Sequence, residues 1–233
     1  MEQRLLLHLI KPLTMRKEKL VKMLHISDWH GEFLFIPPEE KYDMVVCSGD
    51  LMPNWDRANP EKNKEGQPKW VEAHLKHFHK LIGGRPFLFC AGNHDFVDPC
   101  GILKDDGLNA INITNKKVKV NGKTFYGFPY IPYIVGEWMY ELQVPEMLYK
   151  VGCMMESFPV DVLVSHSPLA GYLDRCEDGR AGNSVLANSL FYGDMPSRIL
   201  CGHLHAGEGF IDLGETQISN AACSWRIVSV RRD

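Results

Sequence analysis

The chain has 233 residues, 45% of them hydrophobic, which is enough to bury one sizeable core. Its formal net charge of -3 makes no global demand for a nucleic-acid or anionic-membrane partner and leaves only a local basic groove open. Seven cysteines, an odd number with no Cys-x-x-Cys pair, read as small buried side chains of a reducing compartment. No apolar run approaches the ~18 to 20 residues of a membrane helix, so the chain is expected to be soluble and cytoplasmic, with no membrane partner.

Residues 1–21, with Lys11, Arg16, Lys17 and Lys19, read as a solvated arm or extra surface helix ahead of a single domain spanning 22–233. The apolar stretch Leu5–Ile10, broken by His8, is shorter than a signal segment and lacks a cleavage pattern. Leu20–Ile26 predicts a first strand, which runs into Ser27-Asp28-Trp29-His30-Gly31. Asp43–Ser48 predicts a second strand, apolar enough to be buried on both faces, ending in Gly49-Asp50. Residues 54–67 are polar and rich in Asn, Pro and Lys, and predict a loop. Val71, His74, Leu75, Phe78, Leu81 and Ile82 predict a helix over 68–82, closed by Gly83-Gly84. Its three histidines, His74, His77 and His79, read as packing or solvated groups, because His74 falls on the apolar stripe and His79 points away from it.

Phe87–Cys90 predicts a third strand, followed by Ala91-Gly92-Asn93-His94-Asp95. Val118–Phe128 predicts a hairpin turning at Asn121-Gly122. Val144, Met147, Leu148, Val151, Met155 and Phe158 predict a helix with Pro145 near its start. Asp161–Val164 and Ile199–Cys201 predict strands ending in Ser165-His166 and Gly202-His203-Leu204-His205, and further strands are expected over 209–230.

One pattern therefore recurs five times: an apolar strand ends, and Asp, His or Asn follows. Strand ends of an α/β sheet gather on one edge, so Asp28, His30, Asp50, Asn93, His94, His166, His203 and His205 are expected to converge. Carboxylate, imidazole and amide donors without thiolate suit Mn, Fe, Zn or Ni. Asp28 and His30, and likewise His203 and His205, are two apart and would project to one side of an extended backbone. Gly31, Gly49, Gly92 and Gly202 beside them permit tight turns or close approach.

The series Asp28-x-His30, Gly49-Asp50, Gly92-Asn93-His94-Asp95, Ser165-His166 and Gly202-His203-x-His205 resembles, in this order, the motifs of the calcineurin-like metallophosphoesterases. That resemblance, with the strand–helix alternation, implies an α/β sandwich of two β-sheets flanked by α-helices. It implies two divalent transition-metal ions, with Mn favoured. Asp28, His30 and His205 would hold one, Asn93, His166 and His203 the other, and Asp50 would bridge them. A hydroxide shared by the ions would attack phosphorus, and His94 would protonate the leaving oxygen or stabilise the phosphoryl group. Asp95 would orient a histidine or cap the segment after it.

The chain departs from the phosphoprotein phosphatase branch, which continues Gly-Asp-x-x with Asp-Arg-Gly, because here Gly49-Asp50-Leu51-Met52 is followed by Pro53-Asn54-Trp55. His166-Ser167-Pro168-Leu169-Ala170-Gly171-Tyr172-Leu173-Asp174 is similar to a segment of small single-domain phosphodiesterases, with Ser167 and Leu169 in place of the expected Gly and Pro. The resemblance thus implies hydrolysis of small or cyclic nucleotide-type phosphodiesters. A nuclease, a phosphomonoesterase and a non-catalytic interaction module are the alternatives, and a nucleic-acid partner is not favoured. Asn54, Arg175 and Arg180 are candidate substrate contacts, and Trp29 and Trp55 either stack on a base or pack in the core.

Overall fold

The computed structural model describes residues 20–56 and 59–231; of the arm expected over 1–21, residues 1–19 lie outside them. In chain order the elements are β1 (Leu20–Ser27), β2 (Met44–Cys47), α1 (Pro60–Ala73), α2 (Leu75–Ile82), β3 (Phe87–Phe89), α3 (Cys100–Asp105), β4 (Ala110–Asn112), β5 (Lys117–Val120) and β6 (Lys123–Phe128). They continue with β7 (Ile131–Pro132), β8 (Glu141–Leu142), α4 (Val144–Met155), β9 (Val162–Ser165), β10 (Arg175–Cys176), β11 (Gly179–Arg180) and α5 (Ser184–Phe191). The last are β12 (Arg198–Cys201), a short 3-10 turn over His205–Gly207, β13 (Gly209–Asp212), β14 (Gln217–Asn220) and β15 (Ser224–Arg231).

Two sheets carry the fold, one in the order β15-β1-β2-β3-β4 and one in the order β13-β14-β12-β9-β6-β5. The strands alternate strictly between two apolar layers. Val21, Met23, Met44, Val46 and Leu88 face Phe125, Val162, Val164 and Leu200 in a core between the sheets. Leu24, Ile26, Val45, Cys47, Phe87 and Phe89 point the other way and are covered by Val71, Phe78 and Leu81 of α1 and α2. Leu163, Ile199 and Cys201 are covered in turn by Met147 and Val151 of α4 and Leu186 and Leu190 of α5. The architecture is the expected sandwich, helices outside and two sheets inside. Burial on both faces is why β2 and β9 read as continuous apolar runs rather than alternating ones. His25 is a polar exception between the sheets, joined there by two serines. Burial holds its pKa down to about 3, and its ring spans from Ser48 Oγ at 2.9 Å to Ser219 Oγ at 3.0 Å.

The hairpin at Asn121-Gly122 forms as expected, both residues being left-handed. The helix beginning near Pro145 forms too, opened by a reciprocal Gln143–Glu146 cap. The first strand starts at Leu20 and pairs there with Arg231, so the domain begins before residue 22.

The stretch 54–67 is not all loop. α1 starts at Pro60, capped by the Asn59 side chain. The helix expected over 68–82 is two helices broken at His74, whose ring Nδ1–H donates to the Trp70 carbonyl at 2.7 Å while its backbone N–H donates to the Val71 carbonyl. His74 and His77 lie against the Phe33 ring, and His79 pairs with Asp106 at 2.6 Å, so all three have the packing or surface roles expected.

Candidate metal centre

β1, β2 and β3 run parallel, and so do β6, β9 and β12, so each sheet delivers its loops to one edge. Asp28, Asp50 and Asn93 follow strands of the first sheet, and His166 and His203 follow strands of the second. The expectation of extended backbone at these residues fails. Asp28, His30, Asp50 and His203 all have left-handed φ, between 46° and 66°, and His205 opens a 3-10 turn. Strain of this kind is held only where surrounding contacts enforce it. Here the Asp28 carboxylate accepts the His203 backbone N–H at 2.9 and 3.0 Å, locking one sheet edge to the other.

All eight predicted site residues are brought together. Donor atoms of Asp28, His30 and His205 lie within 4.8 Å of one another, as do those of Asp50, His166 and His203, and those of His30, Asp50 and His94. Asp50 belongs to two of these groups. Its Oδ1 accepts the His94 backbone N–H at 2.7 Å, and its Oδ2 lies 3.3 Å from His166 Nε2. Burial opposes the charge on Asp50, but the His166, His94 and His30 rings overcome it and hold the carboxyl well below its usual range. Gly92 is required by this closeness: a Cβ there would lie 2.2 Å from Asp50 Oδ1 and 2.6 Å from His166 Cε1.

The polarity of the hydrogen bonds tests whether a cation fits. His166 Nδ1 faces the Ser48 carbonyl at 2.8 Å and must donate to it. Its Nε2 lies 2.9 Å from Asn93 Oδ1 and 3.3 Å from Asp50 Oδ2, and against its burial the Asp50 carboxylate pushes the ring's pKa up to about 9. His166 Nε2, Asn93 Oδ1 and Asp50 Oδ2 converge on one place, where positive charge, either a proton on the ring or a metal ion that displaces it, satisfies all three. The donor chemistry therefore fits a divalent metal, with the Ser48 carbonyl orienting the ring from behind. His205 is oriented similarly, its Nδ1 3.4 Å from Cys223 Sγ and its Nε2 3.4 Å from Asp28 Oδ1.

His94 is held differently. Its Nδ1 lies 3.1 Å from the Asn54 amide nitrogen. The amide orientation follows from groups of known polarity. The Trp55 backbone N–H donates to Asn63 Oδ1, and Asn63 Nδ2 donates to the Asp56 carbonyl and to Asn54 Oδ1. Asn54 Oδ1 is thus an acceptor and Asn54 Nδ2 the donor to His94, which leaves the ring proton on Nε2, the nitrogen 3.9 Å from Asp50. Burial also depresses the His94 pKa.

Asp95 neither orients a histidine nor caps the segment after it. Its buried carboxylate accepts four backbone N–H groups, from Asp50 at 2.7 Å, Gly92 at 2.9 Å, Leu51 at 3.1 Å and Met52 at 3.2 Å. It staples the loop after β2 to the loop after β3. Burial and the Asp50 carboxylate push its pKa up to about 7 against the pull of those N–H groups. Asp95→Ala strands four buried donors and is expected to destabilise the fold by about 3 kcal/mol or more. A urea unfolding midpoint unchanged from wild type would show that water replaces the carboxylate.

Of the candidate substrate contacts, Asn54 reaches the centre through His94. Arg180 donates to Asp174 at 2.6 Å and to the Gly171 carbonyl at 3.1 Å, closing the turn of the 166–174 segment. Arg175 is exposed on β10, with its backbone N beside Gly207 in the turn that carries His205. Trp29 packs: it is buried and its Nε1 donates to the Ser224 carbonyl at 2.8 Å. Trp55 is 46% exposed and lies over Gly66 of α1. The tryptophan at the centre is Trp138, whose ring centroid is 4.4 Å from that of His94. Gln67 was also not anticipated. It is buried on α1, donates to the His94 carbonyl at 2.7 Å and accepts from Phe96 N at 2.8 Å. No sequence signal marks Trp138 or Cys223, whereas a helical reading of 60–73 would have put Asn63 and Gln67 on one face.

A sandwich with clustered Asp, His and Asn at its strand ends defines a dinuclear phosphoesterase scaffold. The chain belongs to the calcineurin-like phosphoesterase family, which matches residues 21–207. This family hydrolyses phosphoric esters with divalent metal ions. UPF0046 protein K07C11.7 of Caenorhabditis elegans is 28% identical over 221 residues, 87% of this chain and 69% of its own length. Human metallophosphoesterase domain-containing protein 1 is 32% identical over 183 residues, 65% of this chain and 55% of its own length. A solved crystal structure superposes with a TM-score of 0.65 at 16% identity, covering 92% of this chain and all of its own, and shows the fold alone. Among the described residues, no helix is long and apolar enough to cross a membrane.

Proposed function

We propose that the chain is a dinuclear, manganese-favouring phosphodiesterase acting on small or cyclic nucleotide-type diesters. The observation that carries this reading is Asp50, whose carboxylate converges with His166 and His203 on one side and on the other with His30, itself grouped with Asp28 and His205. Asp28, His30 and His205 would hold one ion, Asn93, His166 and His203 the other, and Asp50 both. A bound ion pair supplies Lewis-acid stabilisation of the phosphoryl oxygens and an activated water. The chain's own part is positioning. Asp95 and Gln67 fix the loops, and His94 directs an Nε2 proton at the place where phosphoryl charge develops. The diester preference is supported by Pro53-Asn54-Trp55 in place of the Asp-Arg-Gly of protein phosphatases, with the neutral Asn54 amide, not a carboxylate, on His94 Nδ1. Without that carboxylate His94 is not held as a charged acid, a weaker arrangement for dianionic monoesters. The unpaired cysteines support a reducing compartment such as the cytoplasm.

The test is a substrate panel on the full chain with added Mn and with chelator. Bis(p-nitrophenyl) phosphate and cyclic nucleotides should turn over with Mn, lose turnover with chelator and regain it on Mn addition. Faster turnover of phenyl phosphate than of any diester would make the chain a monoesterase, and turnover confined to polynucleotides would make it a nuclease.

A further inference from the structure

The loop from Tyr133 to Tyr140 is built around one carboxylate. Glu141 accepts the backbone N–H groups of Ile134, Val135, Gly136 and Trp138. Both ends of the loop are pinned. β7 pairs with β8 across its base, and the Ile131 N–H donates to the Tyr140 carbonyl at 3.1 Å. At the tip the Tyr133 ring closes over Gly136, where a Cβ would meet it at 3.2 Å. The backbone is thus arranged before any ligand arrives. It presents Trp138 to His94, ring against ring at 4.4 Å and tilted by 35°. Beside Trp138 the loop exposes three apolar side chains, Tyr133 at 48%, Ile134 at 51% and Val135 at 47%.

Exposed apolar groups clustered beside a polar centre mark a binding surface. The centre itself offers a substrate only charged and polar groups. Metal ligands take the phosphoryl group, His30 lies on one side of His94 with ring centroids 4.8 Å apart, and Asn54 closes its Nδ1. Among the described residues, the one flat apolar surface touching His94 is the indole of Trp138. A group esterified to a phosphate held at Asp50 and His94 emerges next to that indole. A planar aromatic group has a π-face to lay against it, and a sugar or alkyl chain does not.

We propose that Trp138 is the specificity-determining residue of this centre: it stacks on an aromatic group of the substrate, so that nucleobase-bearing phosphoesters are preferred over sugar or alkyl ones. This rests on the phosphoesterase reading of the centre. Trp29 and Trp55, the tryptophans adjoining the ligand motifs in the sequence, do not take this role; the loop brings Trp138 from further along the chain.

The experiment compares two competitive inhibitors that differ only in the base, adenosine 5′-monophosphate and ribose 5-phosphate, on the Mn-loaded full chain. Bis(p-nitrophenyl) phosphate hydrolysis reports inhibition, and isothermal titration reports binding. Wild type should bind the nucleotide about 10- to 100-fold more tightly than the sugar phosphate, the range of one base–aromatic stack. Trp138→Ala should abolish that difference while leaving ribose 5-phosphate affinity and metal content unchanged, and Trp138→Phe should restore most of it. Equal affinities in wild type, or a difference that survives Trp138→Ala, would overturn the role of Trp138 alone. A parallel loss of ribose 5-phosphate affinity in Trp138→Ala would make the residue a prop for His94 and overturn it too. No hydrolysis and no binding of either compound by Mn-loaded wild type would overturn the phosphoesterase reading, and this proposal with it.

Discussion

Asp50→Ala should strip both metal positions at once and lower turnover by about 10³-fold or more. Losing a group that merely orients a metal ligand costs ~10- to 100-fold, and Asp50 is a candidate ligand shared by two donor groups. The carboxylate also accepts the His94 backbone N–H at 2.7 Å, so its removal loosens the loop after β3 as well. Without Asp50, the His166 and His203 donors face Asn93 with no anion among them, and the local charge no longer attracts a cation. Asp28→Ala removes a donor from the group of His30 and His205 and frees the His203 backbone N–H, so it should mainly weaken one position and loosen the other only slightly. Metal counting by mass spectrometry on dialysed protein distinguishes the two variants. Two ions retained by Asp50→Ala would show that it does not bridge.

His94→Ala should lower turnover by about 10²- to 10³-fold with metal content unchanged, the cost of removing one hydrogen-bond donor from a developing oxyanion. The sequence leaves two roles open, proton donor to the leaving oxygen and stabiliser of the phosphoryl group. The structure favours the second. Asn54 donates to Nδ1, and the Asn63 and Asp56 partners of its carbonyl prevent it from turning round to accept. A doubly protonated ring would set donor against donor at 3.1 Å. The neutral ring keeps a proton at Nε2 to share but not to give away. The loss should therefore be similar for a diester with an alkoxide leaving group and for one with a nitrophenolate. A loss concentrated on the alkoxide would restore the proton-donor role. Loss of a metal ion would make His94 a ligand, which its place beside His30 and Asp50 permits geometrically.

The sequence by itself determined the sheets and the roster of the centre. Strands buried on both faces must be apolar throughout, and the polar residues after them must lie at a sheet edge, so β1, β2, β3, β9 and β12 and the donors beyond them were legible from pattern alone. The spacing of Asn121-Gly122 determined the hairpin because few other residues accept two successive left-handed positions. Tertiary structure decided what surrounds the centre. α1 was hidden because Asn63 and Gln67, on its buried face, are polar: their partners are the loops of the site, and a helix that buries amides shows no apolar stripe. The role of Asp95 was hidden because its acceptors serve backbone N–H groups, which carry no sequence signature. The backbone at Asp28, His30, Asp50 and His203 could not be read as left-handed, because that strain is enforced by contacts between the two sheets and not by local preference. Trp138 is 44 residues beyond His94 in the chain and meets it only because Glu141 folds the intervening loop back over the strand ends.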